Sequence, residues 1–253
     1  MKKNILTLFI GLFFMNGVFA GTLTPGDTNK TDDKGNKTGI WKERVGPSDF
    51  FGKYVDGKRE GLWIGYHMNG VISNMDEYVG GRKNGYSIQI DKTGYYFEKD
   101  QYVNDTLNGI SITYYTGAKI KSEIAYKMGI LNGIKMVYYS DGKQQEEGHY
   151  KNGQRDGVAK WFFASGELSV EYTYKNGILE GPMKTYFKNG NVQSEVNAVN
   201  NIEEGTSTEY YENGKVKTTG KYVHGKKEGA WKTFDLDGKL TKTENYKNDV
   251  LKK

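Results

Sequence analysis

Three histidines, His67, His149 and His224, and a handful of adjacent carboxylates are the residues of this chain best suited to chemistry, and there is no cysteine. A general base, a metal site or a nucleophile would need several such groups to converge. The histidines lie far apart in the sequence. Glu146-Glu147 and Glu203-Glu204 could supply the two carboxylates that glycoside hydrolysis requires. In a strand, however, neighbours point to opposite faces, so each pair reads instead as a solvated turn. Asp32-Asp33 falls in a polar stretch without preorganisation. None of the glycine-rich stretches opens a helix, as a phosphate-cradling loop would. The expectation is a protein with no catalytic centre, no metal and no cofactor.

What remains is a set of aromatic residues at regular intervals, and behind them a regular glycine. Gly61, Gly85, Gly109, Gly133, Gly157, Gly181, Gly205 and Gly229 are each 24 residues apart, with Gly39 a shortened 22-residue step earlier. A fixed period of this size marks a repeat protein whose units bury apolar surface against their neighbours. We number positions from these structural turn glycines. A second glycine lies near plus nine (Gly70, Gly94, Gly142, Gly166, Gly190, Gly214, Gly238), often after Asn or Asp, which predicts tight hairpins. In the unit from Gly109 this glycine arrives one residue early, at Gly117, predicting a shifted turn or a bulge. Plus twenty holds Gly81, Asp105, Gly129, Gly153, Gly177, Asn201, Gly225 and Asp249. The exceptions to glycine are the residues that best tolerate a left-handed backbone, so this position predicts positive φ in a turn.

Segments between the turns, such as Lys160-Trp161-Phe162-Phe163 and Glu171-Tyr172-Thr173-Tyr174, are aromatic and β-branched and too short for helices, so they read as strands. Of the three prolines, Pro182 follows an opening glycine, where a strand would begin. The fold class expected is all-β: an elongated single array of about eight to nine 24-residue antiparallel β-hairpin repeats over residues 39–253. Two strands add roughly 10 Å per unit, so eight units would span on the order of 80 Å as a twisted sheet. A closed barrel or propeller is the alternative.

Gly61-Leu62-Trp63, Gly229-Ala230-Trp231, Tyr138-Tyr139-Ser140-Asp141-Gly142 and Tyr174-Lys175-Asn176-Gly177 resemble the bacterial variant of the MORN repeat, as in YwqK-like proteins. The resemblance covers residues 39–253. It implies rows of β-hairpins and a scaffold or recognition role, and in some relatives an antitoxin role. Ala198, where a plus-seventeen Tyr is expected, and the polar run from Asn197 to Glu204 depart from the pattern.

Residues 1–20, with Lys2, Lys3, an apolar run from Ile5 to Phe14 and then Val18-Phe19-Ala20, have the form of a secretory signal peptide cleaved after Ala20. An uncleaved anchor is the other reading, although the run is short for a membrane span. Residues 21–38 are polar and read as a flexible linker; the glycosylation-type triplets at Asn29 and Asn36 are assigned no role. The chain is therefore expected to be exported, to the periplasm, the cell surface or beyond, with no integral membrane span after cleavage. With Lys2 and Lys3 set aside, 34 basic residues face 31 acidic ones, interspersed as in Lys53, Asp56, Lys58, Arg59 and Glu60. No basic stripe stands out, so nucleic acid is not an expected partner. Lys247, Lys252 and Lys253 at the last unit could discourage end-to-end sheet growth.

Two adjacent positions carry the candidate binding surface. Plus five holds Tyr66, Ile90, Tyr114, Tyr138, Phe162, Tyr186, Tyr210 and Phe234, which fits a structural ladder. Plus six holds Tyr115, Tyr139, Phe163, Phe187 and Tyr211 in the central units, and should lie on the opposite face together with Trp161. This row is either an exposed aromatic strip for a protein or glycan partner, or a second buried row. The function expected is an exported, non-enzymatic interaction or scaffolding module. The alternatives are an immunity protein that neutralises a toxin, and a glycan-binding surface protein.

Overall fold

The computed structural model describes residues 28–252; the expected signal peptide lies outside the described residues. These residues form one antiparallel sheet of 21 strands with no helix among them. The strands are β1 (Lys30–Thr31), β2 (Lys37–Val45), β3 (Ser48–Val55), β4 (Lys58–Tyr66), β5 (Ile72–Val79), β6 (Arg82–Ile90), β7 (Tyr96–Val103), β8 (Thr106–Leu107), β9 (Gly109–Tyr115), β10 (Lys119–Lys127) and β11 (Ile130–Tyr138). They continue with β12 (Gln144–Lys151), β13 (Gln154–Phe162), β14 (Leu168–Lys175), β15 (Ile178–Tyr186), β16 (Val192–Val199), β17 (Ile202–Tyr210), β18 (Val216–Val223), β19 (Lys226–Phe234), β20 (Leu240–Lys247) and β21 (Val250–Leu251). Each strand pairs with its sequence neighbours; β8 and β9 both pair with β7 as two parts of one broken strand. β1 and β21 do not meet, so the sheet is open and the barrel alternative is set aside. Among the described residues no helix is long and apolar enough to cross a membrane.

The left-handed backbone expected at plus twenty is present in all eight units, from φ +64° at Asp105 to +88° at Gly81. The residue before it is left-handed too, as at Asn152, Asn176, Asn200 and Asn248 (φ 50–52°). Two consecutive positive φ values make the two-residue turn that matches strand twist. Each such turn is bound to the unit before it. The plus-twenty N–H donates to the carbonyl 22 residues back, as Gly81 to Arg59, Gly153 to Leu131 and Gly225 to Glu203. Where glycine is replaced, the side chain adds a second bond: Asp105, Asn201 and Asp249 accept the N–H of Lys83, Leu179 and Lys227. The preceding turn residue is tied as well, with Gly80, Asn200, His224 and Asn248 donating to Glu60, Glu180, Glu204 and Glu228.

Several expectations are corrected. The opening glycines are not turn residues. They lie inside the strands, at a bulge where two extra residues interrupt pairing with the preceding strand, as between Ile124↔Lys135 and Tyr126↔Leu131. All eight have positive φ, 115–130° in the central five. A Cβ on Gly133 would sit 2.8 Å from the Ala125 Cβ, so close approach reinforces the need for glycine. Pro182 is accordingly mid-strand, at the part of β15 that the pairing with β14 skips between Tyr172↔Met183 and Tyr174↔Leu179.

The Asn-Gly and Asp-Gly hairpins are five-residue loops rather than two-residue turns. Tyr139 N–H donates to the Lys143 carbonyl, Gly142 N–H to the Tyr139 carbonyl, and only the glycine has positive φ. The shifted turn expected at Gly117 is present, with Gly117 and Ala118 both left-handed and a register slip between Ile120 and Ser122. Nor does Ala198 disturb its unit: it is 1% exposed, and β16 pairs with both neighbours.

The described part of the expected linker is ordered by short polar bonds. The Asp32 carboxylate accepts from the Lys34 and Asn36 N–H groups and from the Asn36 side chain, which supplies the preorganisation the sequence did not suggest. Asn29 then caps the first edge by exchanging side-chain bonds with the backbone of Lys42, and Trp41 Nε1 donates to the Lys30 carbonyl.

Met128 carries the same turn dihedral as its asparagine counterparts (φ 49°) while 60% exposed. Met128→Asn should therefore stabilise the protein by about 1 kcal/mol, and Gly153→Val should destabilise it by about 1–2 kcal/mol, through the left-handed backbone cost. Urea midpoints of the two variants against the parent check both signs.

Candidate functional site

Strand alternation gives the sheet two different faces. On one, plus-two and plus-seventeen residues meet across strands. At the first units Trp41, Tyr54, Trp63 and Tyr78 stack edge to face with centroids 5.6, 5.2 and 6.4 Å apart. Tyr222, Trp231 and Tyr246 repeat this at the far end, 5.1 and 6.5 Å apart. Trp63 is 1% exposed because it lies flat on Gly52, where a Cβ would fall 2.2 Å from the indole; Trp231 sits in the same way on Gly220. Both glycines lie off the 24-residue template and 11 residues before their tryptophan, a signal legible in the sequence.

Cations cover these rings from above. The Arg59 guanidinium is 4.3 Å from the Trp63 centroid and 5.3 Å from that of Tyr78, and pairs with Glu43 at 2.7 Å. Burial opposes the Arg59 charge, but Glu43, Tyr54 and Tyr78 outweigh it and raise its pKa. Glu43 is held below the usual carboxylate range because Lys37, Arg59 and Tyr54 together overcome its desolvation. Arg155 and Lys135 bracket Glu146 at 2.6 and 3.0 Å. Between these clusters lies a polar stretch, where Asp76 accepts from Ser87, Lys83 and Asn74. Next to it, burial and then the neighbouring Asp100 charge raise the Glu98 pKa.

The candidate chemistry does not assemble. His67 Nε2 contacts the Ile90 carbonyl, His149 Nδ1 contacts the Val158 carbonyl, and the His224 side chain is 90% exposed on a turn. Glu146-Glu147 and Glu203-Glu204 are strand residues, not solvated turns. Glu146 is buried between Lys135 and Arg155, while Glu147 accepts from Gln144. Among the described residues no group of three or more His, Cys, Asp or Glu side chains could hold a metal.

Tyr139, Phe163, Phe187 and Tyr211 open the five-residue loops, and Tyr115 ends β9 ahead of its shorter turn. Tyr115, Tyr139, Phe163, Phe187 and Tyr211 are all half-buried. Each tyrosine reaches the next unit: the hydroxyls of Tyr115, Tyr139 and Tyr211 donate at 2.8 Å to the carbonyls of Tyr138, Phe162 and Phe234. His67 makes the same reach to Ile90. Phe163 has Lys188 above its ring at 6.0 Å, and Trp161 stacks on Tyr172 with Arg155 at 5.1 Å. Phe187 and Tyr211 line a shallow groove with Thr185, Ser194 and Glu209.

Residues 131–152, 155–176, 179–200, 203–224 and 227–248 match the model of the MORN repeat variant. The five matches fall within residues 131–248. Each matched segment starts two residues before an opening glycine and stops at the first left-handed residue of the next turn. The units between Gly39 and Ile130 share the hairpin architecture of the MORN repeats. No curated protein matches the chain.

An acid whose folded pKa is raised is penalised at pH values above that pKa, and the penalty fades as pH falls through it. Glu98→Gln should therefore raise the urea midpoint at pH 7, with the gain lost by pH 4. A constant gain across this range would exclude the ionisation origin.

Proposed function

We propose that this chain is an exported, non-enzymatic array of the bacterial YwqK-like kind, acting as a protein-interaction or scaffolding module. Its partner-facing surface is the row Tyr115, Tyr139, Phe163, Phe187 and Tyr211, with Trp161 beside it. The observation that carries this reading is the fixing of half-buried rings by bonds to the following unit, on a sheet with no second layer. Rings held in place present a flat apolar surface at little entropic cost on binding. MORN repeats are in general binding modules, which agrees with the histidines and carboxylates being dispersed or locked in ion pairs.

Phe163 and Phe187 form the useful test, because neither has a hydroxyl in the inter-unit bonds. In crosslinked pull-downs from the native organism, the Phe163→Ser/Phe187→Ser chain should keep its β-sheet circular dichroism and lose the captured proteins. Tyr139→Ser should lower stability by about 1 kcal/mol through its hydrogen bond as well. Unfolding of the double phenylalanine variant would assign the row to the core, and capture unchanged in a folded variant would sink the reading. A single stoichiometric small protein among the captured species would favour the immunity role. Capture only on a glycan array would favour a glycan ligand.

A further inference from the structure

The one irregular step of the array, 22 residues from Gly39 to Gly61, has a structural result. In the other units, apart from the shorter turn at Gly117-Ala118, a hairpin on the loop side closes through a five-residue loop beside a register slip. The β2–β3 hairpin instead runs without a slip from Gly39↔Tyr54 to Val45↔Ser48 and turns through Gly46-Pro47 alone. The following loop, from His67 to Val71, therefore has no matching loop before it to lean on. The space left is a cup of about 620 Å³ lined by Arg44, Asp49, Phe51, Ile64, Tyr66 and Met68, with Pro47, His67 and Gly70 around them.

Register places these side chains in two rows on one face, Arg44–Asp49–Tyr66 and Lys42–Phe51–Ile64. The floor is apolar. Phe51 and Tyr66 meet edge to face at 5.7 Å, Ile64 adjoins them, and Met68 stands 83% exposed at the rim. The polar rim is unevenly satisfied. Asp49 is paired with Lys42 at 2.9 Å, and that bond, opposed by desolvation, keeps its carboxyl below the ordinary range. The Arg44 side chain makes no hydrogen bond or ion pair within 4 Å among the described residues; it lies across the strand pair from Asp49, whose carboxyl its charge helps to hold down, and its N–H donors remain open at the lip. His67 is anchored to the Ile90 carbonyl and contributes shape.

Lys42, bound to Asp49, reaches over Phe51 at 5.5 Å, and an apolar floor with a guanidinium open at its lip is an arrangement that recognises a carboxylate joined by a short link to an apolar group. We propose that this cup binds such a carboxylate, its aromatic or branched aliphatic side chain on Phe51, Ile64 and Tyr66 and its carboxylate forked onto Arg44. The same chemistry is offered by a small organic acid and by the C-terminus of a polypeptide ending in an apolar residue. The site is separate from the plus-six row, and neither reading depends on the other.

N-acetyl-phenylalanine and its amide, differing only in charge, are the probes, titrated into the 15N-labelled chain from Gly21 to Lys253. The acid should shift resonances of residues 44–51 and 64–70, and the amide should bind at least tenfold more weakly. Arg44→Gln should abolish that difference while moving the urea midpoint little, since its side chain is exposed and makes no hydrogen bond or ion pair within 4 Å. A pentapeptide ending in Phe would bind more tightly than the free acid if the natural ligand is a polypeptide end, and equally if it is a small acid. Equal shifts by acid and amide, shifts elsewhere on the sheet, or no shift at millimolar probe would overturn the proposal.

Discussion

The array depends on one backbone constraint, the pair of consecutive left-handed residues at each two-residue turn. Only that turn brings the plus-twenty N–H to the carbonyl 22 residues earlier, so one conformational requirement fixes both hairpin twist and unit-to-unit register. A unit of different length would carry its turn away from that acceptor. The shortened first step keeps the bond, from Gly57 to Lys37, by taking its two residues out of the opposite loop. The period is thus enforced on one edge of the sheet, while the other edge tolerates variation, as at Gly46-Pro47 and Gly117-Ala118.

With register fixed, a single layer must find its stability without a second sheet or a helix to bury it. The solution is lateral. Large rings lie flat over glycines of the neighbouring strand, and the long side chains of Arg59, Arg155 and Lys227 lie over the rings. The core side chains at 1% exposure are Trp63, which lies on a glycine, and the alanines Ala159 and Ala198. Buried polar groups such as Asp76 and Glu146 are held within the same lateral network by lysine, arginine and serine.

The sequence made the fold legible because glycine, asparagine and aspartate at turns report backbone dihedrals directly. Hence plus twenty was readable at every unit, Asp105 and Asn201 included. The opening glycines were misplaced because a positive φ at a bulge leaves the same residue signature as one in a turn. The plus-five and plus-six rows were assigned to opposite faces by parity alone. The inter-unit hydroxyl bonds of the plus-six row were not legible, since that row mixes Tyr with Phe and the acceptors are backbone carbonyls. The ion pairs of Glu43 and Glu146 were hidden for a related reason: their partners Arg59 and Arg155 come from other strands, 16 and nine residues away, and only register reveals them. Within the stretch read as a linker, residues 28–38 are ordered at the first edge by hydrogen bonds of two side chains, Asp32 and Asn29, that composition did not single out.

Because each strand pairs only with its neighbours along the chain, the ladder bonds run along the axis of the array. Tension applied between the two ends would load those bonds head-on, one rung after another, instead of shearing many at once. The chain would then lengthen hairpin by hairpin at low force and re-form in the same steps when released. An array of this kind is compliant along its axis, each hairpin yielding separately.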